Sequence, residues 1–279
     1  MEQILFGAPV AKQLDEISKN VFQKHSKENE KPHLTAITVG DNPASLLYVT
    51  RKQEKALDLG VEFNWIKLDS NTSQETLEDV ISKESESTNG LIIQLPLPSH
   101  LNPEEAINCI PHEVDVDGLT SYNLGSLFSN AYNLIPATSL AVLELLNFYN
   151  IKTEDKNIVI AGRSRLVSAP LAKILSSKSY NANVSVIHSK TTNQKLFTKE
   201  ADIFISAIGS AKMYDHTFFK NGATIIDIGI SSVDGKTYGD IDTVQIGEVI
   251  SSRAPFPGGV GPITVSALFF NLSRLIQTN

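Results

Sequence analysis

One cysteine, Cys109, is all that the 279 residues contain, so no internal disulfide can form. That fits a reducing compartment such as the cytoplasm. Basic residues are outnumbered, 24 against 31 acidic, giving a net charge of −7 with no basic block. Nucleic-acid binding needs a clustered cationic face to neutralise phosphates, so it is not expected. Long apolar runs are missing too: Leu91–Ile93 and Ile203–Ile205 are far too short to span a bilayer, and no membrane association is expected. The opening segment, MEQILFGAPVAKQLDEI, lacks a basic start, a long apolar stretch and a small-residue cleavage site. It reads as an amphipathic helix containing Glu2, Asp15 and Glu16, so neither export nor organelle import is expected. The six histidines (25, 33, 100, 112, 188 and 216) show no two-ligand helical spacing, and no metal is expected. Fixed-period repeats and low-complexity segments are also absent.

What is present is an ordinary globular composition, 41% hydrophobic and 20% charged. At roughly 100–200 residues per domain, the length suits one large or two medium domains. Val10, Leu14, Ile17 and Val21 recur at helical spacing and predict a first helix of about five turns. A strand over Leu34–Val39 and a turn at Gly40-Asp41 follow. Next comes a helix that Asn42 can cap, Pro43 can begin and Gly60 can close. Strand Val61–Leu68, helix Thr72–Glu84, strand Gly90–Leu95 and a short helix after Asn102 continue the alternation, which predicts a parallel α/β sheet. Residues 111–137 are rich in Asn, Gly, Ser and Pro and read as a connector carrying a functional loop. A helix over Thr138–Asn150 opens a second α/β set. Its strands are expected at Asn157–Ala161, Asn183–His188, Ile203–Ala207 and Thr224–Ile228, with a helix at Val167–Ser177. A last amphipathic helix, Ile263–Thr278, is expected to return to the first domain.

Ile158–Ser168 reads IVIAGRSRLVS, a buried strand running into Gly162 with a helix opening straight afterwards. Such a turn exposes backbone N–H groups at a helix N-terminus, where a pyrophosphate can sit. The usual G-x-G-x-x-G is absent, with Ser164 and Ser168 in the later small-residue places. The second strand ends Ile187-His188-Ser189-Lys190, without the carboxylate that would accept bonds from an adenosine ribose. Arg163 and these hydroxyl and basic groups suit a 2′-phosphate, which favours NADP over NAD. A solvated loop holding Arg, His and Lys by chance is the plainer alternative.

In the first half, Tyr48 and Lys52 stand four residues apart and share a helix face. Most such pairs are only solvated surface. Here the helix follows a strand and turn, so its start lies near the carboxyl edge of the sheet, where open α/β proteins bind ligands. Gln94 ends another apolar strand, directly before Leu95-Pro96-Leu97-Pro98, and an amide there can hold a lysine that acts as base or proton donor. Asp115-Val116-Asp117-Gly118 is open to three readings: a cation site short of a ligand, an aspartate accepting N–H bonds from a heterocycle such as a pterin, or a plain turn. Pro257-Gly258-Gly259-Val260-Gly261-Pro262 allows close backbone approach to a ligand, or is simply a domain crossover.

These residues carry a resemblance over nearly the full chain. VGDNPASLLYVTRK (Val39–Lys52), GLIIQLPLP (Gly90–Pro98), VDVDG (Val114–Gly118), GRSRLVSAP (Gly162–Pro170), HSKTT (His188–Thr192), DIGI (Asp227–Ile230), GDID (Gly239–Asp242) and PGGVGP (Pro257–Pro262) together resemble the bifunctional methylenetetrahydrofolate dehydrogenase/cyclohydrolase family. The resemblance implies oxidation of 5,10-methylenetetrahydrofolate with NADP, then hydrolysis of the methenyl form to 10-formyltetrahydrofolate, in one-carbon metabolism that serves purine biosynthesis. It implies Lys52 as the central catalytic residue, with Tyr48 beside it and Gln94 bonded to it. Asp117, Tyr48 and the Pro257, Gly258 and Gly259 turn would bind substrate. Gly162, Arg163, Ser164, Ser189 and Ile230 would bind the cofactor, Arg163 and Ser189 taking the 2′-phosphate.

The implied architecture is a catalytic domain over 1–137 completed by the C-terminal helix 262–279, a Rossmann-like domain over 138–261, and a homodimer through the Rossmann-like domains. Departures from the family pattern include Val114, Ala137, Ser139, Ser168, Ala211, Ser231, Ala254 and Phe256. Ser168 adds a side chain where helix and strand pack closely. Two narrower alternatives follow: a cyclohydrolase with weak or lost dehydrogenase activity, and a non-catalytic folate-binding relative.

Overall fold

The computed structural model describes residues 2–28, 30–244 and 246–278. In chain order its elements are β1 (Gln3–Ile4), α1 (Gly7–Glu28), β2 (His33–Val39), α2 (Pro43–Leu59), β3 (Glu62–Leu68), α3 (Gln74–Ser85), β4 (Gly90–Ile93), α4 (Pro103–Asn108) and α5 (Ser121–Phe128). Then come α6 (Ala137–Phe148), β5 (Asn157–Ala161), α7 (Ser168–Leu175), β6 (Asn183–Ile187), α8 (Lys195–Thr198), β7 (Ile203–Ser206) and β8 (Thr224–Asp227). A hairpin of β9 (Ser231–Val233) and β10 (Lys236–Tyr238), β11 (Ser252–Ala254) and α9 (Val260–Thr278) complete the chain. No helix among the described residues is long and apolar enough to cross a membrane.

Two compact units result. One comprises Lys12–Ala137 with the chain from Val265 onward; the other joins the segment up to Ala11 to Thr138–Thr264. This grouping differs from the sequence reading in two respects: residues 262–264 stay with the second unit, and so does the segment up to Ala11. The first residues were expected to be helical and part of the first domain. Instead β1 runs parallel beside β11 in the sheet of the second unit, and the helix begins only at Gly7. The buried stripe of α1 is also rotated from the expected one: Val10, Leu14, Ser18 and Phe22 are buried, whereas Ile17 is 43% exposed. Ser18 tolerates burial because its hydroxyl donates to the Leu14 carbonyl at 2.8 Å.

The unit of Lys12–Ala137 is built on a parallel sheet of order β3-β2-β4. β2 and β4 are buried almost throughout, as strands covered on both faces must be. Ile37, Leu77, Ile81, Leu91 and Ile107 form the centre of its core. Val114–Val116 runs alongside β4: the Leu91 N–H donates to the Val114 carbonyl at 2.7 Å, and Leu91 bridges Asp115 in parallel. The C-terminal part of α9 packs against this connector through Asn271, which is wholly buried. Its side-chain N–H groups donate to the Val116 and Ile135 carbonyls, both at 2.9 Å.

The other unit carries a parallel sheet of order β1-β11-β8-β7-β5-β6. From β5 the chain moves outward to β6, then returns to lay β7 on the other side of β5. That reversal is the topological switch point of a doubly wound fold, and it opens a crevice at the carboxyl ends of β5 and β7. Phe204, Tyr214 and Phe219 pack edge to face or tilted at 4.8–5.3 Å and fill the core on one side.

Asn271 supplies donors to two otherwise buried carbonyls, so removing them leaves unmet hydrogen-bonding groups. The N271A variant is expected to lose roughly 2–3 kcal/mol of stability in urea denaturation. An unchanged midpoint would contradict this role.

Candidate functional site

α2 begins as its sequence requires. The Asn42 side chain accepts from the Ala44 and Ser45 N–H groups at 3.0 and 3.1 Å, Pro43 takes the first turn, and Gly60 closes the helix at φ +76°. This start follows β2 directly, so Tyr48 and Lys52 stand one and two turns from the carboxyl edge of the sheet. Gln94 follows β4 on the adjacent strand, its N–H still paired with the Ile37 carbonyl at 2.9 Å. Lys52 Nζ donates to Gln94 Oε1 at 3.0 Å. Gln94 Nε2 donates to the Leu95 carbonyl at 2.8 Å, which turns the amide so that its oxygen faces the lysine.

Asp117 arrives at the same edge by register. Asp115 lies beside Leu91 in a parallel bridge, so two residues later Asp117 is level with the end of β4. The two aspartates divide the labour. Asp115 is spent on the turn: Oδ1 accepts from the Gly118 N–H at 2.9 Å, and Oδ2 accepts from the Thr120 N–H and Asn123 Nδ2 at 2.8 and 2.9 Å. That accounts for the first aspartate as a fold-building residue and leaves Asp117 available to a ligand.

Burial pushes the Lys52 amine below the usual lysine range, opposed by the nearby Asp117 charge. Burial pushes the Asp117 carboxyl up; the Lys52 charge opposes this and the Asp115 charge adds to it. Desolvation also raises the Tyr48 phenol, partly offset by Arg51, whose guanidinium carbon lies 5.9 Å from the ring centroid. Lys52, Gln94 and Asp117 thus form one cluster, with Tyr48 one turn before Lys52 on α2, and burial eases the loss of the lysine proton, as a group that transfers protons requires.

The dinucleotide candidates gather in the other unit. Gly162 follows β5 at φ +121°, and a Cβ there would lie 2.8 Å from both the Ala207 carbonyl oxygen and Ser168 Oγ. Only glycine fits. Ser164 folds the turn: its hydroxyl accepts from the Val167 N–H at 3.2 Å and its carbonyl from the Ala169 N–H at 3.0 Å. No side chain caps α7, but the Ala169 N–H is taken by the Ser164 carbonyl, the Leu171 N–H by the Val167 carbonyl, and Pro170 has none, so few N–H groups of that helix start remain for an anion. Arg163 is exposed after β5, Ser189 is exposed after β6, and Ile230 lies 43% exposed after β8. This cradle fits a pyrophosphate with a phosphorylated ribose beside it.

Two departures noted in the sequence meet here. Ser139 donates to the Val167 carbonyl at 3.1 Å, tying α6 to the turn, whereas the Ser168 hydroxyl is buried without a partner. Sequence reasoning gave Ser139 no such role, because the contact joins segments 28 residues apart. Pro257, Gly258 and Gly259 belong to this unit rather than to that of Lys52. Their close approach is used by the chain itself: the Gly7 N–H donates to the Gly258 carbonyl at 2.8 Å, and a Cβ on Gly7 would collide with Gly259.

Comparison with known proteins finds two family models, one for each half of the chain. The family model for the tetrahydrofolate dehydrogenase/cyclohydrolase catalytic domain matches residues 5–117, and the model for the NAD(P)-binding domain of the same family matches 136–279. The bifunctional protein FolD of Streptococcus agalactiae is 38% identical over 272 residues, covering 96% of this chain and 95% of that protein. The structure of the bifunctional FolD methylenetetrahydrofolate dehydrogenase/cyclohydrolase from Campylobacter jejuni superposes with a TM-score of 0.94 at 32% identity, covering 100% of this chain and 99% of the other. That of the Trypanosoma brucei dehydrogenase-cyclohydrolase, solved with NADP cofactor and inhibitor, gives 0.93 at 28% identity over 99% and 98% of the two chains.

Replacing Gly162 with alanine forces a side chain into space already filled by Ala207 and Ser168. G162A is expected to cost about 1–3 kcal/mol of stability and to lose dinucleotide binding in titration calorimetry. Wild-type melting together with wild-type affinity would contradict the cradle.

Proposed function

Because the chain belongs to the tetrahydrofolate dehydrogenase/cyclohydrolase family, we propose that the Lys52 cluster performs the proton transfers of a bifunctional folate enzyme and that the turn at Gly162 holds its cofactor. The enzyme is an NADP-dependent methylenetetrahydrofolate dehydrogenase and methenyltetrahydrofolate cyclohydrolase. The observation that carries the residue assignment is the 3.0 Å bond from a partly buried Lys52 to a neutral amide. Gln94 orients the nitrogen without supplying a charge that would fix its proton.

NADP, when bound, supplies the acceptor for the hydride that leaves the bridging methylene of the folate. Gly162 and Ser164 would hold its pyrophosphate, Arg163 and Ser189 would take the 2′-phosphate, and Ile230 would line the cofactor site. Asp117 accepts N–H bonds from the pterin ring, which favour its carboxylate and offset the burial that raises its pKa. Tyr48, one turn before Lys52 on the same helix face, contributes to the substrate site.

In the hydrolytic step, Lys52 as the amine removes a proton from water as the oxygen bonds to the methenyl carbon. It returns that proton to the leaving folate nitrogen as the carbon–nitrogen bond breaks. The remaining hydroxyl proton goes to solvent, and 10-formyltetrahydrofolate is released. A homodimer and a cytoplasmic location fit this function. β6 is an edge strand with Val186 42% exposed, a surface suited to pairing of two Rossmann-like units in a homodimer, and the lone cysteine suits the cytoplasm.

The test separates the two reactions. K52M should abolish methenyl hydrolysis while NADP still binds, and the wild type should reduce NADP faster than NAD at equal concentration. Normal hydrolysis by K52M would remove Lys52 from this role, and faster turnover with NAD would remove the assignment of Arg163 and Ser189.

A further inference from the structure

The Rossmann-like unit buries two carboxylates that the mechanism does not use. Asp240 is wholly buried and Asp227, at the end of β8, is 5% exposed. Asp240 is saturated with donors. Its Oδ2 accepts from Ser206 Oγ at 2.7 Å and from the Ile208 N–H at 2.9 Å, and its Oδ1 accepts from the Ser210 N–H at 2.7 Å. Ser206 ends β7, and Ile208 and Ser210 belong to the loop that leaves it. Gly209 between them has φ +65°, so the two N–H groups turn inward on one anion, a small nest that a carboxylate fills.

The carboxylate is fixed from behind. Asp227 accepts from the Asp240 and Ile241 N–H groups at 3.0 and 3.2 Å. Each acid also sits where a glycine leaves room: a Cβ on Gly229 would fall 2.0 Å from Asp240 Oδ2, and one on Gly239 would fall 2.0 Å from Asp227 Oδ2. The loop so held is a wall of the crevice at the switch point. Its Ala207 carbonyl is the atom against which Gly162 closes, and the Ala207 N–H donates to the Ala161 carbonyl at 2.9 Å.

We infer that Asp240 is a positioning residue for the dinucleotide: its buried carboxylate holds the loop after β7 against the turn after β5, so that the crevice is shaped before the cofactor arrives. This rests on the assignment of that crevice to NADP. An amide at position 240 keeps the size of the side chain but has only one acceptor oxygen, and in either orientation its NH2 group would face a backbone N–H, that of Ser210 or that of Ile208. The loop is then released on one side while the fold around it keeps its shape. Hydrogen bonds to a charged group are among the stronger ones, so the effect on cofactor affinity is large.

The experiment compares wild type, D240N and S206A in NADP titration and in separate assays of the two reactions. Wild-type binding of NADP is measured first; no binding there would sink the cofactor assignment itself. Given binding, D240N should raise the NADP dissociation constant and KM by about tenfold or more. Its kcat at saturating NADP should stay within about threefold, and its methenyl hydrolysis should match wild type. S206A, which removes one donor and leaves the carboxylate, should raise KM less. Unchanged NADP affinity in both variants would overturn the inference. So would loss of both reactions in parallel, because that marks a residue serving the whole fold rather than the crevice. Should D240N fail to accumulate, S206A decides: a raised NADP KM with intact hydrolysis supports the positioning role, and an unchanged KM overturns it.

Discussion

A lysine drawn out of water can lower its free energy by finding a counter-charge or by giving up its proton. Lys52 is held between these choices. Desolvation favours the amine, Asp117 favours the ammonium, and burial has the larger effect. Gln94 accepts one N–H from either form, so it fixes where the nitrogen points without deciding its charge. A carboxylate in that position would hold the lysine cationic and useless as a base. Everything else in this unit serves the arrangement: the cap that starts α2 at the sheet edge, the register that ends β4 at Gln94, and the bridge that brings Asp117 level with it.

The other unit solves the reverse problem. Its buried acids are supplied chiefly with backbone and hydroxyl donors, the Arg253 charge adding a smaller effect at Asp227, and the glycines opposite them remove the side chains that would collide. Burial still pushes the Asp227 carboxyl up to about 7, against the two backbone N–H groups that favour its anion. A fixed scaffold suits a site whose proposed task is to present a ring in one orientation, since holding reactants in line is itself a large part of the rate.

Local signals made much of this legible. Asn42-Pro43 and Gly60 delimited α2 because a cap and an αL terminus act within a few residues of the helix they bound. Gln94 stood out because it ended an apolar run before prolines. Features that depend on register between distant segments were not legible. β1 is two residues long, and only its pairing with β11 makes it a strand. Asp115 and Asp117 look equivalent in sequence until the turn consumes one of them. Asn271 is a lone amide on an apolar helix, and its two carbonyl partners lie more than a hundred residues earlier. Asp240 sat in plain view in GDID, but its partners in the loop after β7 come from about thirty positions upstream, and nothing local announces them.

Burial, with a neutral amide as the anchor, lowers the cost of removing the Lys52 proton. Titration of the Lys52 ε-group by NMR in the wild type and in the Gln94→Glu variant tests it most directly. The wild-type pKa should lie below the ordinary lysine value of 10.5 and move upward in the variant, and the rate of methenyl hydrolysis should rise with pH through the wild-type value. A wild-type pKa at or above 10.5, or one that the added carboxylate leaves unmoved, would contradict it.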